Sequence, residues 1–231
     1  MINPDEWGII LLSLKVSSVA VGVTLPPAFA LAWLLARVRF PGKLVLDALI
    51  HLPLVLPPVV TGWLLLLAFG RRGPVGAWLE SWFGVTVMFR WTGAAIAAAI
   101  MALPLMVRAA RLSIEAVDRR LEDAARTLGA GRAQVFETIT LPLCLPGILA
   151  ALMLGFARSL GEFGATITFV SNIPGETRTL PLAIYSALQV PGGEAMITRL
   201  AVVSVLLSLG ALLMSELLIR RSGSRLGSHV L

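Results

Sequence analysis

Few side chains in this 231-residue sequence could do chemistry. The densest set is Arg158, Ser159 and Glu162, inside the apolar run Ala157-Arg-Ser-Leu-Gly-Glu-Phe-Gly-Ala165. Arg158 and Glu162 are four apart, so a helix would place them on one face as an ion pair. An ionisable residue in such a run has two readings. It lines a polar path, or it forms a structural pair that locks its helix against a neighbour. Both stay open on spacing alone. Asp47 and His51 repeat the four-residue spacing and read as a local pair. Cys144 is the lone cysteine and reads as a small apolar filler, with no disulfide and no metal-ligand spacing. There is no His-Glu-x-x-His and no Gly-x-Ser-x-Gly, and His51 and His229 are far apart. The sequence therefore offers no catalytic residue, no metal site and no cofactor site. It also lacks a P-loop, since its Gly-Lys pair, Gly42-Lys43, is followed by Leu44 and has no upstream glycine at the required spacing.

A second set is larger. Residues 122–142 form the most polar long window in an oily chain. From Ile114 to Leu128 the apolar positions Val117, Leu121, Ala124, Ala125 and Leu128 recur at three and four residues, which predicts an amphipathic helix. Glu115 with Arg119, and Glu122 with Arg126, are acid-before-base pairs at i,i+4. Gly129 should stop this helix in a left-handed turn. A second short helix then uses Ala133, Val135, Phe136 and Ile139 as its apolar set, and Pro142 should break it before the next segment. The expectation is a bent pair of short helices that docks a partner. A plain solvated connection is the competing reading, disfavoured because two helical periods flank a glycine stop.

These residues need elements to hold them. The chain is 57% hydrophobic and 14% charged, with a mean hydropathy of +0.88, whereas a soluble domain carries about a quarter charged residues. Apolar runs of roughly 18 residues or more recur, as membrane-spanning helices require. We read one all-α membrane domain over 1–231, with five spans at about 9–36, 44–69, 92–112, 143–163 and 196–219 and the insert at 114–142. Met1–Trp7 is acidic rather than basic, so the first span is expected to be retained rather than cleaved as a signal peptide. Pro26-Pro27 predicts a kink in the first span, and the run His51–Pro58 predicts a second span buried where its freed carbonyls find partners. Lys15 is placed to snorkel to an interface. Residues 70–91 read as a loop whose Trp78, Trp82 and Trp91 suit a membrane–water boundary. Residues 180–188 are apolar but too short to cross and read as an interfacial or re-entrant helix. Ala94, Ala95, Ala97, Ala98 and Ala99 permit close helix packing, and Gly155, Ser159, Gly161, Gly164 and Ala165 fit packing about a dimer axis.

The net charge of +6 reads as a topology signal rather than a nucleic-acid footprint, because the bases are not interleaved with aromatics. Arg37, Arg39 and Lys43, the insert's Arg108, Arg111, Arg119, Arg120, Arg126 and Arg132, and the C-terminal Arg220, Arg221 and Arg225 fall on one side. They outnumber Arg71, Arg72, Arg90, Arg178 and Arg199 on the other. The insert and the C-terminus are therefore expected in the cytoplasm, and the N-terminus outside.

The insert also carries a resemblance. Asp123-Ala124-Ala125, then Gly129, then Ile139, Leu141 and Pro142 resemble the EAA motif of ABC importer permeases, with Asp123 in place of the usual Glu and Glu122 before it. His51–Pro58, Ala124–Gly129, Ser159–Gly164 and Asn172–Gly175 extend the likeness to permease subunits of molybdate transporters; sulfate and thiosulfate permeases are similar in the same places. The resemblance implies a type I importer permease in the inner membrane, with coupling helices around residues 114–142. Glu122, Asp123, Ala124, Ala125, Gly129, Ile139, Leu141 and Pro142 would meet a cytoplasmic ATP-binding subunit. It implies a homodimer, two ATP-binding subunits and an external or periplasmic oxyanion-binding protein, with membrane lipid around the spans and no nucleic acid. Arg158, Ser159 and Glu162 become pore or packing candidates, and Ser159, Thr166 and Thr168 are neutral hydroxyls that could face an oxyanion. A sulfate or thiosulfate permease is the alternative. An ion-driven secondary transporter is a further one, disfavoured by the absence of inverted repeats and paired intramembrane carboxylates.

Overall fold

The computed structural model describes residues 3–227, and it contains helices and no strands among them. Helix α1 spans Pro4–Arg37. It starts where Pro4 supplies a pre-set φ at the first helical position and the Glu6 carboxylate accepts the Asn3 N–H at 3.0 Å. The helix runs without interruption through Pro26 and Pro27. Helix α5, Trp91–Ala116, lies against it. Ala94, Ala97, Ala98 and Ala102 of α5 are fully enclosed, so small side chains set a short distance between the two axes, as expected.

The second predicted span is two helices, α2 (Lys43–Val55) and α3 (Pro58–Phe69), bent by 114°. The cause is local. Leu56 and Pro57 each precede a proline, and both are extended, with ψ of 141° and 133°; the following ring disfavours the helical region. Among the described residues, four helices are long and apolar enough to cross a bilayer, five if the bent pair counts as one. The predicted loop 70–91 contains a helix, α4 (Pro74–Phe83), with Trp78 and Trp82 exposed.

The insert also differs in detail. The helix expected over 114–128 is broken: α5 ends at Ala116 and α6 runs Arg119–Thr127. Asp118 sits between them and caps α6 by accepting the Arg120 N–H at 2.9 Å. After α6 comes α7, Arg132–Val135. A π-helical turn, Phe136–Thr140, follows it and joins directly to α8, Leu141–Leu160. Pro142 therefore does not break the helix; it follows directly on the π-helical turn, and the helix continues through it.

Beyond α8, the fourth predicted span ends at Leu160 rather than 163. It is followed by α9 (Gly164–Val170), α10 (Leu180–Ala187) and α11 (Glu194–Gly227). Helix α10 corresponds to the short apolar segment, with Leu180, Leu182 and Ala183 buried. The core forms where α1, α5 and α8 meet, around Leu35, Met106, Ile114, Cys144 and Ala151. A second cluster joins α1, α3, α5 and α9, and a third joins α1 to α10 and α11. Gly155, Gly164 and Ala165 do not wait for a dimer axis. A Cβ on Gly155 would lie 2.6 Å from the Met106 sulfur, one on Gly164 would lie 2.7 Å from Pro58, and Ala165 is enclosed against Gly62. Their small size serves packing within the chain. The side chains of Arg220, Arg221 and Arg225, and all of His229, fall outside what the structure describes.

Candidate functional site

Helix α6 is the one strongly polar helix, and its geometry follows from one inverted face. Leu121, Ala124 and Leu128 are exposed, Leu128 by 88%. The buried residue is the acidic Glu122, 8% exposed. Its carboxylate oxygen accepts from Arg37 at the end of α1 and from the Thr140 hydroxyl in the π-helical turn, each at 2.8 Å. The expected partner Arg126 instead sits 3.6 Å from Asp123, and Glu115 bonds Arg111 at 2.8 Å rather than Arg119. For Glu122 tertiary partners displaced the local one because a buried carboxylate needs donors that water no longer supplies; Glu115 keeps a local i,i+4 partner, one turn before it rather than one turn after.

Gly129 ends α6 as its sequence suggested, at φ +91°. The Gly129 N–H bonds the Arg126 carbonyl and the Ala130 N–H bonds the Ala125 carbonyl, both at 3.0 Å, the paired pattern of a Schellman turn. A Cβ at Gly129 or Gly131 would meet nothing, so the turn stands clear of the bundle. Asp123 is exposed beside Ala124. Leu141 and Ile139 are partly buried. An open apolar stripe rimmed by Asp123 and Arg126, on a short helix anchored from behind, is a docking surface in shape.

Asp47 and His51 are paired at 3.3 Å as spacing suggested, and Arg111 joins them at 3.2 Å, linking α2 to α5. Arg111, Glu115, Arg37 and Glu122 lie toward one end of the bundle. The far end of α1 carries Glu6, nearly inaccessible, held by Arg199 of α11 at 2.6 Å. No spacing rule links residues this far apart in the chain. An α1 of 34 residues separates the two groups by about 50 Å. Lys15 lies over the Trp91 ring at 3.8 Å to its centroid, a cation–π contact.

Arg158 and Glu162 do pair, at 2.7 Å. Glu162 lies just past the end of α8, not within a helix; its other oxygen accepts the Ala165 N–H at 2.8 Å and so caps α9. Glu162 is 3% exposed and Arg158 is partly exposed, so the pair serves as a brace between two helices with its cationic side toward the open. The Ser159 hydroxyl is buried next to it without a partner, as is that of Thr61 on α3. Thr166 is buried and Thr168 bonds the Gly164 carbonyl, so neither presents a free donor outward. The breaks α2–α3 and α8–α9 meet here, with Gly164 against Pro58.

Residues 28–224 match the model of the binding-protein-dependent transport system inner membrane component family. The molybdenum transport system permease protein of Escherichia coli K12 is 60% identical over 98% of this chain and 99% of its own length. The corresponding protein of Haemophilus influenzae is 57% identical over 96% and 97%. The sulfate transport system permease protein CysT of E. coli K12 is 39% identical over 89% of this chain and 75% of its own. Among solved structures, a bacterial ABC transporter involved in alginate import superposes with a TM-score of 0.74 at 20% identity, covering 95% of this chain and 80% of that one. The MetNI methionine transporter, in an inward-facing form, superposes with a TM-score of 0.72 at 16% identity, covering 96% and 99%. The fold is thus that of type I importer permeases.

Proposed function

Because this chain belongs to the family of binding-protein-dependent transport system inner membrane components, we propose that it is the permease subunit of an ATP-driven molybdate importer in the inner membrane. The observation that carries the substrate is the 60% identity, end to end, to a molybdenum permease, against 39% to a sulfate permease. The finer parts of the reading rest on geometry and charge. Two copies of the chain form the path. A separate ATP-binding subunit sits under each α6, meeting Leu121, Ala124 and Leu128 with Asp123 and Arg126 at the rim. Gly129, Ile139, Leu141 and Pro142 set the shape of that surface from behind. An external oxyanion-binding protein delivers substrate at the end bearing Glu6 and Arg199. The insert and the C-terminus are cytoplasmic and the N-terminus is outside.

The mechanism follows as alternating access. Closure of the ATP-bound subunits moves the α6 pair, the helices open the path outward, and hydrolysis resets them. In this account the Arg158–Glu162 brace keeps a buried carboxylate neutralised beside the path, since an unpaired Glu would repel an anion. The buried hydroxyls of Ser159, adjacent in sequence to Arg158, and of Thr61 on α3 have no hydrogen-bond partner among the described residues. The reading is tested by reconstituting the chain with its ATP-binding subunit and binding protein in vesicles. ATP-dependent molybdate uptake that excess sulfate inhibits weakly is expected; uptake that prefers sulfate, or proceeds without ATP, would contradict it.

A further inference from the structure

Glu122 belongs to the polar window expected to touch the ATP-binding subunit, yet the structure turns it the other way. It is the one buried residue of α6, while the neighbouring Leu121, Asp123 and Ala124 are exposed. Its carboxylate joins three elements that are far apart in sequence: α6 itself, the last residue of α1 through Arg37 at 2.8 Å, and the π-helical turn through Thr140 at 2.8 Å. Thr140 is 1% exposed and is the final residue of that turn, immediately before α8. The same junction is reinforced by Phe136 of the turn, whose ring meets Trp33 of α1 edge to face at 5.2 Å. The covalent route from α6 to α8 passes instead through Gly129, Ala130 and Gly131, where a Cβ on either glycine would touch nothing. A turn that packs against nothing transmits displacement poorly, whereas a charge-assisted hydrogen-bonded junction in a low-dielectric setting transmits it rigidly. The π turn, with the Leu141 N–H bonded to the Phe136 carbonyl, is a local irregularity of the type found frequently at functional sites.

We infer that Glu122 is a positioning residue, an internal lock through which a push on α6 reaches α1 and α8, and that it makes no contact with the ATP-binding subunit. The inference rests on the importer reading above and deepens it by dividing the polar window. Leu121, Ala124 and Leu128 dock the partner; Glu122, Arg37 and Thr140 convert docking into movement of α8, the helix that carries Arg158. Glu122 has one acceptor group serving two donors, and the Arg37 Nε is buried without an acceptor, so the junction holds no spare partner to replace either side.

The test uses the assembled complex of full-length permease, ATP-binding subunit and binding protein in proteoliposomes. Two quantities are read: the amount of ATP-binding subunit that co-purifies, and the molybdate transported per ATP hydrolysed. Glu122→Ala and Arg37→Ala should each retain full co-purification but lower the transport-to-hydrolysis ratio at least tenfold. The double variant should fall no further than either single one, and Glu122→Gln, which keeps an acceptor for Thr140, should recover part of the ratio. Leu128→Asp should lose co-purification. The inference is overturned if Glu122→Ala loses the partner as Leu128→Asp does, for then Glu122 is a docking contact. An unchanged ratio in Glu122→Ala, whatever its yield, also overturns it. If the unmodified chain neither retains an ATP-binding subunit nor transports, the importer reading itself fails and the lock fails with it.

Discussion

At either end of α1 a buried carboxylate ties the helix to a distant element, Glu6 to Arg199 and Glu122 to Arg37. Removing Arg199 would strand Glu6 without a counter-charge. Arg199→Ala is therefore expected to lower stability, by less than the loss of a fully buried pair because Arg199 is itself partly exposed. The readout is the apparent unfolding temperature of the purified protein, with Arg199→Lys falling between; an unchanged temperature would show that the pair contributes nothing net. Cys144 is fully enclosed between α5 and α8, so it should resist maleimide in the folded protein and react on denaturation. These contacts also mark how far residue spacing can be read. Arg158–Glu162 and Asp47–His51 were visible because a helical period brings i and i+4 together. The same rule assigned Glu115 to Arg119 and Glu122 to Arg126, and there it failed. Glu115 took Arg111, equally spaced on the turn before it, while the buried Glu122 took Arg37 because burial rewards whichever donor the fold brings closest, and sequence spacing holds no information about that second choice.

At the scale of elements, prolines decide less than their neighbours do. Pro26-Pro27 lies in an unbroken α1, while Pro57-Pro58 separates α2 from α3 by 114°. Both pairs disfavour helix for the preceding residue. The first is flanked by Thr24, Ala28 and Ala32, all buried, so packing holds the helix on course. The second is flanked by exposed Val55, Val59 and Val60, and nothing opposes the bend. Composition alone does not reveal that difference, and for the same reason it concealed α4 and the interruption at Asp118. Gly129 was legible because a glycine after an amphipathic period marks a helix stop whatever the tertiary context. The seat of α3 on α9 gives a further test. A Cβ on Gly62 would lie 2.6 Å from the Ala165 carbonyl oxygen and 2.8 Å from the Thr168 Cβ, whereas one on Gly22 would meet nothing. Gly62→Leu should therefore destabilise by about 1–3 kcal/mol through overpacking and abolish uptake, while Gly22→Leu leaves stability within about 0.5 kcal/mol. Equal thermal stability of the two variants would argue against the close α3–α9 contact.

For the whole molecule, the all-helical membrane class followed from composition and period, whereas the five expected spans correspond, among the described residues, to four apolar helices long enough to cross and one pair bent by 114°. The three-dimensional path of the chain did not follow, because broken helices, long-range ion pairs and small-residue contacts are properties of packing. Sidedness is the global property that charge predicts and labelling can check. On a Cys144→Ala background, a cysteine at Leu128 should react with an impermeant maleimide only from the cytoplasmic side, and one at Trp82 only from outside; both positions are exposed. The reverse pattern would invert the topology and remove α6 from reach of any cytoplasmic partner. The most direct test of the central claim, that the open face of α6 is where ATP hydrolysis is coupled to transport, is ATP-driven molybdate uptake by the reconstituted importer carrying Ala124→Arg together with Gly129→Arg. The first fills the open stripe with charge, and the second puts a side chain at φ +91°, where glycine is favoured. Loss of uptake by at least tenfold, with the permease still folded in the membrane, is the predicted result; uptake at the unmodified rate would contradict the account.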